Sequence, residues 1–173
     1  MMYDTSRRLA AVLLLSMVSA AGAAQVCRSD IQSSAPDSQF TNHGNGTVSD
    51  AATGLMWKQC AEGLSGAGCA NGIVGYFNWQ EALQLATDAN FAGYTDWRLP
   101  NKNELESLVE LRCYDPAINT KYFPNTPSNM VWSSSPYAGS PYLTWYVAFG
   151  NGYVGYDHFR EYAAFVRLVR GGQ

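Results

Sequence analysis

The sequence predicts an α+β domain in which antiparallel strands surround two helices. Along the 173-residue chain a strand pair comes first, two amphipathic helical patterns follow, and alternating strand patterns fill the C-terminal half. This order favours an α+β fold over a series of βαβ units. Hydrophobic residues form 47% of the chain and charged residues 14%, so a core can be buried and a disordered chain is excluded.

The first 23 residues are predicted to be a signal peptide. Arg7 and Arg8 precede an apolar run over 9–18, and small residues follow up to an A-x-A pattern at 21–23. The apolar run is roughly half of the ~20 residues that a membrane-spanning helix needs, so cleavage is favoured over a retained anchor. We therefore expect an exported protein, periplasmic or at the cell surface, without membrane insertion after cleavage. Loss of Asp4 with the two arginines changes the formal charge from −3 to −4.

The charge and the histidine content exclude further classes of protein. The chain carries 11 Lys and Arg against 14 Asp and Glu and has no basic stripe, so nucleic acid is not expected as a partner. With His43 and His158 as its two histidines, the sequence also argues against a His-rich metal site.

All four cysteines follow the predicted cleavage site. An even number of cysteines in an oxidising compartment favours two disulfides, and the lack of a C-x-x-C pair argues against a zinc ribbon or a redox site. Among the three possible pairings we favour Cys60 with Cys69, because these residues flank a Gly-rich loop. Cys27 would then pair with Cys113 and tie the N-terminal segment to the domain body.

The N-terminal elements are an arm followed by a hairpin. Residues 24–39 contain four serines, Pro36 and Asp37 and have little hydrophobic pattern, so they are predicted to be an arm or linker before a domain spanning 40–173. Gly44-Asn45-Gly46 is a turn sequence that predicts a β-hairpin. Leu55-Met56-Trp57 follows as a buried strand.

Two helices are predicted next. Asn78 can cap a helix whose apolar residues recur at helical spacing up to residue 89. Asn101 and Glu104 form a capping-box pair at the start of a second helix. The apolar stripe of that helix would consist of Leu105, Leu108 and Val109.

Beyond Pro116 the pattern changes to strands. One strand begins at Val131, residues 142–149 alternate as the next, and Asn151-Gly152 turns into a third. A last strand is predicted over 162–169. We expect these strands to form one antiparallel meander.

Five segments, in this order, are similar to the signatures of one family. They are residues 45–50 with 53–57 (NGTVSD, TGLMW), 93–101 with Glu104-Leu105 (GYTDWRLPN), 132–134 (WSS), 145–149 (WYVAF) and 166–171 (VRLVRG). The family is the C-terminal domain of the Legionella collagen-like adhesin, and the resemblance covers about residues 40–173. Collagen-like repeats are absent from this chain, so it resembles the globular head alone.

The resemblance implies both a fold and a function. The fold would be similar to C-type lectins and to formylglycine-generating enzymes. The function would be that of an exported, non-enzymatic binding module for a glycan or another surface polymer, with a homotrimer as a possible assembly. Related adhesin heads recognise sulfated glycans, but this chain is acidic, so a neutral glycan or a protein is the expected ligand. The alternative is a structural or assembly protein of the bacterial envelope.

An enzyme is not expected. No serine lies in a G-x-S-x-G elbow. The last cysteine is Cys113, whereas formylglycine-generating enzymes use reactive cysteines near the C-terminus. The acidic pairs Asp157 with Glu161 and Glu104 with Glu106 lack the pattern of a glycosidase pair.

The ligand is expected at a rim of strand ends in the C-terminal half. Tyrosines beside Gly, Pro and Asn turns present a flat apolar ring with a polar hydroxyl, which suits a sugar ring or a protein partner. An equally good explanation is that these tyrosines only cover the ends of the strands. Polar neighbours would supply the directional hydrogen bonds. The candidate residues are Tyr137, Tyr142, Asn151, Tyr153, Tyr156, Asp157 and Arg160.

Other prominent residues are predicted to be structural. The core is expected to contain Trp57, Trp132 and Trp145, and Trp97 is assigned a structural role. Arg98 precedes the second helix and is expected to form an ion pair with Glu104. Arg167 is assigned to the fold as well. Because Arg167 and Arg170 would face opposite ways on the last strand, at most one is expected to point inward.

A cofactor is not predicted, and calcium is the one candidate metal. Asn42, Asn45 and Asp50, with the carbonyl groups of the Gly44–Gly46 turn, form an oxygen-rich loop. The loop lacks the acidic ligands that a calcium loop of the EF-hand type normally supplies.

Overall fold

A computed structural model describes residues 24–172, so the predicted signal peptide lies outside the described residues. The described chain forms eleven strands, two α-helices and two short 3₁₀ turns. In chain order, the strands and helices are β1 (Val26–Cys27), β2 (Phe40–Asn42), β3 (Thr47–Asp50), β4 (Leu55–Lys58), β5 (Leu64–Ser65), β6 (Asn71–Gly72), α1 (Trp79–Asp88), α2 (Lys102–Glu106), β7 (Cys113–Tyr114), β8 (Met130–Pro136), β9 (Leu143–Ala148), β10 (Tyr153–Phe159) and β11 (Val169–Gly171).

Two antiparallel sheets organise the domain. The first has the strand order β11-β4-β3-β2 and the second the order β10-β9-β8, while β1 pairs with β7 and β5 with β6. Neighbouring residues of β9 pack in different parts of the core: Tyr146 joins Ala82 and Ala86 of α1, and Val147 joins Leu105 of α2. The second sheet is therefore covered on both faces, by one helix on each side. These observations confirm an α+β fold built mainly from antiparallel strands.

Both helices begin with a capping box. The Asn78 side chain accepts a hydrogen bond from the Glu81 amide, and the Glu81 carboxylate accepts one from the Asn78 amide. Asn101 and Glu104 make the same exchange at the start of α2. The reciprocal bonds satisfy donors that the first helical turn leaves free, which is why these short sequences start helices where they do.

The second helix is shorter than predicted. It ends at Glu106, so Leu108 and Val109 do not extend a helical stripe. The Ser107 hydroxyl donates to the Glu104 carbonyl, and the amides of Leu108 and Val109 bond three residues back, which tightens the chain into turns. Both apolar side chains are nevertheless buried.

The prediction of a last strand over 162–169 is wrong both in the residues that form the strand and in the strand with which it pairs. Strand β11 begins only at Val169, and it pairs with β4 of the other sheet. The preceding residues bond to several segments instead: the Phe165 carbonyl accepts from Trp132, and the Leu168 carbonyl accepts from Lys58. From Ala164 onward the segment runs between two parts of the core, so its alternating side chains are buried on both sides without a continuous ladder.

Two-sided burial also corrects the expectation for the arginines. Arg167 and Arg170 face opposite ways, yet both are buried, with 1% and 6% of their surface exposed. Arg170 donates to Asp96 at 2.7 Å and stacks on Tyr94. Arg167 donates to the backbone carbonyl groups of Lys58 and Gln59.

The N-terminal segment is fixed to the domain body. Both predicted disulfides are present, Cys27–Cys113 and Cys60–Cys69. The buried Glu110 carboxylate accepts hydrogen bonds from the Ser33 hydroxyl and from the Ser34 and Ala35 amides, and Ala35 itself is fully buried. A disulfide, the hydrogen bonds to Glu110 and the buried Ala35 thus attach residues 24–39 to the domain body. Within residues 24–172, the helices are all too short to cross a membrane.

Candidate functional site

Three aromatic side chains cluster at one end of the second sheet. Tyr137 and Tyr156 stack almost in parallel, with ring centroids 4.1 Å apart and planes 14° apart. Trp145 meets both rings edge-on, at 5.8 Å and 5.1 Å. Lys102 of α2 places its Nζ 5.2 Å from the centre of the Trp145 ring. We call these four residues the Tyr156 surface.

The packing leaves Tyr156 more exposed than Tyr137. Gly139 lies against Tyr137 so closely that a Cβ added there would come within 2.6 Å of the ring. Tyr137 is therefore enclosed between Gly139 and Tyr156, while Tyr156 exposes 41% of its surface. The neighbouring Tyr156 phenol raises the pKa of Tyr137 above its usual range, and partial burial adds to the shift. The result is a supported ring face with phenol groups at its edge.

Trp145 is half-buried, which corrects the prediction that it belongs to the core. Its neighbour Val147 occupies the core on the same face of β9, but Trp145 lies nearer the strand end, where the aromatic cluster and Lys102 replace core contacts. The Lys102 ammonium also pairs with Glu106 at 3.6 Å. A cation, a carboxylate and an indole thus border the stacked tyrosines.

The predicted single rim does not form. Tyr153 packs on the buried Tyr146, on the face of the second sheet opposite to Trp145 and Tyr156. Asn151 caps the β9–β10 turn by accepting from the Tyr153 amide, at the end of the strand far from Tyr137. The seven candidates separate because alternate side chains leave opposite faces and the two ends of β10 lie a strand length apart.

The remaining candidates lie outside the Tyr156 surface. The Asp157 carboxylate accepts from the Tyr146 hydroxyl at 2.7 Å, and burial together with this carboxylate raises the pKa of Tyr146 well above its usual range. Arg160 donates to the Leu143 carbonyl and stacks on Trp79. Tyr142 is exposed beside the end of β9. Of the predicted ligand residues, the structure stacks Tyr137 on Tyr156, and it joins Arg160 to Tyr142 by a hydrogen bond of 2.9 Å from the Arg160 amide to the Tyr142 carbonyl.

The residues predicted to be structural occupy the expected places, apart from Trp145. Trp57, Trp97 and Trp132 are buried. The Arg98 guanidinium makes two hydrogen bonds of 2.8 Å to the Glu104 carboxylate.

The oxygen-rich loop does not converge on a metal position. The Asn42 and Asn45 side-chain oxygens accept hydrogen bonds inside the hairpin turn, from Gly44 and Thr47. Asp50 lies at the opposite end of β3 and caps the next turn through the Ala52 amide. Residues 24–172 contain no group of three or more His, Cys, Asp or Glu side chains placed to bind a metal ion.

A cleft that sequence reasoning missed lies beside the hairpin turn. It has a volume of about 880 Å³ and is bounded by the turn at Gly44–Gly46, the loop closed by Cys60–Cys69, and Phe91. Its walls come from segments far apart in the chain, including Lys58 and Lys121. No local pattern could have predicted it.

The fold and the Tyr156 surface define a disulfide-bonded α+β domain that presents an aromatic contact face. The chain belongs to the Lcl C-terminal domain family, whose sequence pattern matches residues 46–170. This match confirms the resemblance seen in the sequence motifs, and membership of this adhesin-associated family suggests a role in binding or adhesion. A search of curated proteins finds no match to the chain.

Proposed function

We propose that this protein is an exported, non-enzymatic binding module that holds a neutral glycan or a similar surface polymer on the Tyr156 surface. The observation that carries the proposal is the supported ring: Tyr156 stacks on Tyr137 at 4.1 Å and is 41% exposed. A rigid aromatic face loses little conformational entropy on binding, and it offers apolar contact beside polar groups. We propose together with this function the lectin-like fold that the family resemblance implies.

The border of the surface fits a neutral ligand with hydroxyl groups. Lys102 can donate and Glu106 can accept, and the two side chains largely neutralise each other at 3.6 Å. Such a border favours sugar hydroxyls over a strongly anionic chain. One stacked ring with a few hydrogen bonds gives weak binding, roughly 1 mM or about −4 kcal/mol. Adhesion then needs several copies, in a trimer or on a crowded surface, which act through effective concentration.

The alternative, an assembly protein of the envelope, is favoured by a different surface. Val26 and Tyr114 are paired across β1 and β7, and both are about half exposed, at 44% and 48%. Leu111, two residues before Cys113, is 69% exposed. These apolar side chains beside the N-terminal disulfide would suit contact with another protein.

The two functions are separated by a glycan array with a matched pair of variants. The full chain, exported and purified, is labelled and applied with and without calcium. Tyr156→Ala should abolish the signal on neutral glycans, whereas Tyr153→Ala, on the opposite face of the sheet, should leave it intact. Circular dichroism checks that both variants are folded. Equal binding by Tyr156→Ala and the parent, or no neutral glycan bound by the parent, would reject the proposed site.

A further inference from the structure

The cleft beside the hairpin turn, which we call the Phe91 cleft, is lined by groups that donate hydrogen bonds or carry positive charge. Lys58 and Lys121 are its charged side chains, and no carboxylate lines it. The side-chain oxygens of Asn42 and Asn45 are engaged in the turn, while their amide nitrogens have no partner among the described residues. The two ammonium groups and the two amide nitrogens of this lining can therefore donate to acceptors of a ligand.

A buried cation lies directly behind the cleft wall. Arg167 donates to the carbonyl groups of Lys58 and Gln59, two residues of that wall, and to the Thr126 hydroxyl at 2.7 Å. No carboxylate of the described chain lies within 4 Å of its guanidinium, and its Nε has no hydrogen-bond partner. Burial lowers the pKa of Arg167 to about 10, so it remains charged at neutral pH.

The charges around the cleft leave one positive charge in excess. Lys58 pairs with Glu62 at 2.6 Å, and Lys121 pairs with Asp37 at 2.6 Å. The Glu62 charge also acts on Arg167, so the three cations Lys58, Lys121 and Arg167 face two carboxylates. A singly charged anion completes this arrangement, whereas a doubly charged one would bring a second uncompensated charge.

The floor of the cleft is apolar. The Phe91 ring is packed against Gly46, where an added Cβ would come within 2.7 Å of it, and Leu64 and Pro124 complete the apolar lining. Lys58 Nζ lies 4.6 Å from the centre of the Phe91 ring, so a cation and an aromatic surface are adjacent. This combination selects an apolar group that carries an anion.

We propose that the Phe91 cleft binds a carboxylate attached to an apolar group, with the carboxylate beside Lys58 and the apolar part against Phe91. The chain terminus of a peptide and a free organic acid share this chemistry. The cleft is separate from the Tyr156 surface, since the two share no residue, and it does not depend on the neutral ligand proposed there.

The test is a titration of the ¹⁵N-labelled exported protein followed by amide chemical shifts. N-acetylphenylalanine represents a peptide terminus, phenylpropionate represents a free acid, and N-acetylphenylalanine amide is the uncharged control. Both acids should change the amide chemical shifts of Gly44, Gly46 and Gly66. The acid that binds more tightly indicates whether the ligand is a peptide terminus or a free organic acid. The amide and sodium sulfate at equal ionic strength should bind at least fivefold more weakly. Equal binding of the amide or of sulfate, or no shift in the cleft, would overturn the proposal.

Charge variants distinguish recognition from a merely structural effect. Lys58→Gln should weaken carboxylate binding about five- to tenfold, as expected for loss of one charge at close range. Glu62→Gln should strengthen it by a similar factor, because the lysine then lacks its own counter-ion. Lys102→Gln, on the Tyr156 surface, should leave the affinity unchanged. Binding that is insensitive to both cleft variants, each shown to be folded, would also overturn the proposal.

Discussion

Arg98 and Glu104 are joined by two parallel hydrogen bonds of 2.8 Å, and the same carboxylate caps the first turn of α2 by accepting from the Asn101 amide at 2.7 Å. Glu104 therefore has two functions, as an ion-pair partner and as half of a capping box. The hydrogen bonds from the Arg98 guanidinium, together with that from the Asn101 amide, lower the pKa of Glu104 below its usual range. The pair fixes the start of α2, whose first residue, Lys102, is part of the Tyr156 surface.

Loss of Arg98 should cost less than loss of Glu104. Arg98→Ala removes a bidentate pair, but 45% of its side chain is exposed, so solvent screening limits the expected cost to about 1 kcal/mol. Glu104→Ala also removes a cap and should cost roughly 2 kcal/mol. Urea unfolding at neutral pH measures both changes, with the exposed Arg28→Ala as a control that should show no change. An equal cost for Arg98→Ala and Glu104→Ala would show that the cap contributes nothing.

Glu110 should make the domain sensitive to acid. Burial alone would raise the pKa of this carboxyl, but hydrogen bonds from Ser33, Ser34, Ala35 and the Arg112 amide outweigh it and lower the pKa. A folded-state pKa below the unfolded value gives stability that is present above the usual carboxyl range and is lost as the pH falls through the folded pKa.

Glu110→Gln tests this dependence. The variant should be roughly 2 kcal/mol less stable at pH 7, because the hydrogen bonds lose a charged acceptor. The difference from the parent should shrink as the pH falls towards 3, measured by urea unfolding at each pH. A difference that stays constant over this range would show that Glu110 contributes packing only.

Local signals in the sequence were sufficient for much of the fold. The capping boxes at Asn78 and Asn101 depend on residues three apart, and the hairpin at Gly44–Gly46 depends on a turn sequence, so both could be predicted without tertiary information. The cysteine pairing followed from the short loop between Cys60 and Cys69, and the structure confirms it.

Properties set by tertiary packing could not be predicted. Residues 162–169 alternate like a half-exposed strand, yet both sides are buried from Ala164 onward, because that part of the segment runs between two parts of the core. Trp145 and Val147 follow the same alternation and differ only in their distance from the strand end. Tertiary contacts decide which face of the sheet Tyr153 and Tyr156 occupy. They also bring distant segments together to form the Phe91 cleft, and the periodicity of the sequence does not indicate such contacts.

The two disulfides should contribute unequally to stability. In the chain-entropy description, the contribution grows with the length of chain that the bond closes. Cys60 and Cys69 are 9 residues apart and Cys27 and Cys113 are 86 apart, which gives about 3 and about 4.5 kcal/mol respectively. Paired Cys→Ser variants of each bond, unfolded in urea, measure the two values. A larger loss for the Cys60–Cys69 pair would mean that this bond acts through the folded loop instead.

The support that Tyr137 gives to Tyr156 can be tested at Gly139, which is not one of the four residues of the Tyr156 surface. A Cβ added at Gly139 would come within 2.6 Å of the Tyr137 ring, so Gly139→Ala must displace that ring. The backbone at Gly139 does not have a positive φ, and alanine is therefore tolerated there without backbone strain. Tyr156 would lose the parallel ring on which it stacks, although its own side chain is intact.

Gly139→Ala should therefore weaken binding of neutral glycans several-fold while the melting temperature changes little. Near-ultraviolet circular dichroism, which responds to the packing of tyrosine rings, should change with it. Gly171→Ala is the matched control, because a Cβ there meets no atom within 4 Å and its φ is not positive. If Gly139→Ala alters the dichroism but leaves glycan binding at the level of Gly171→Ala, then Tyr156 binds without the support of Tyr137. In that case the stacking of Tyr137 on Tyr156 would only stabilise the end of the second sheet, and Tyr156 would contact the glycan without it.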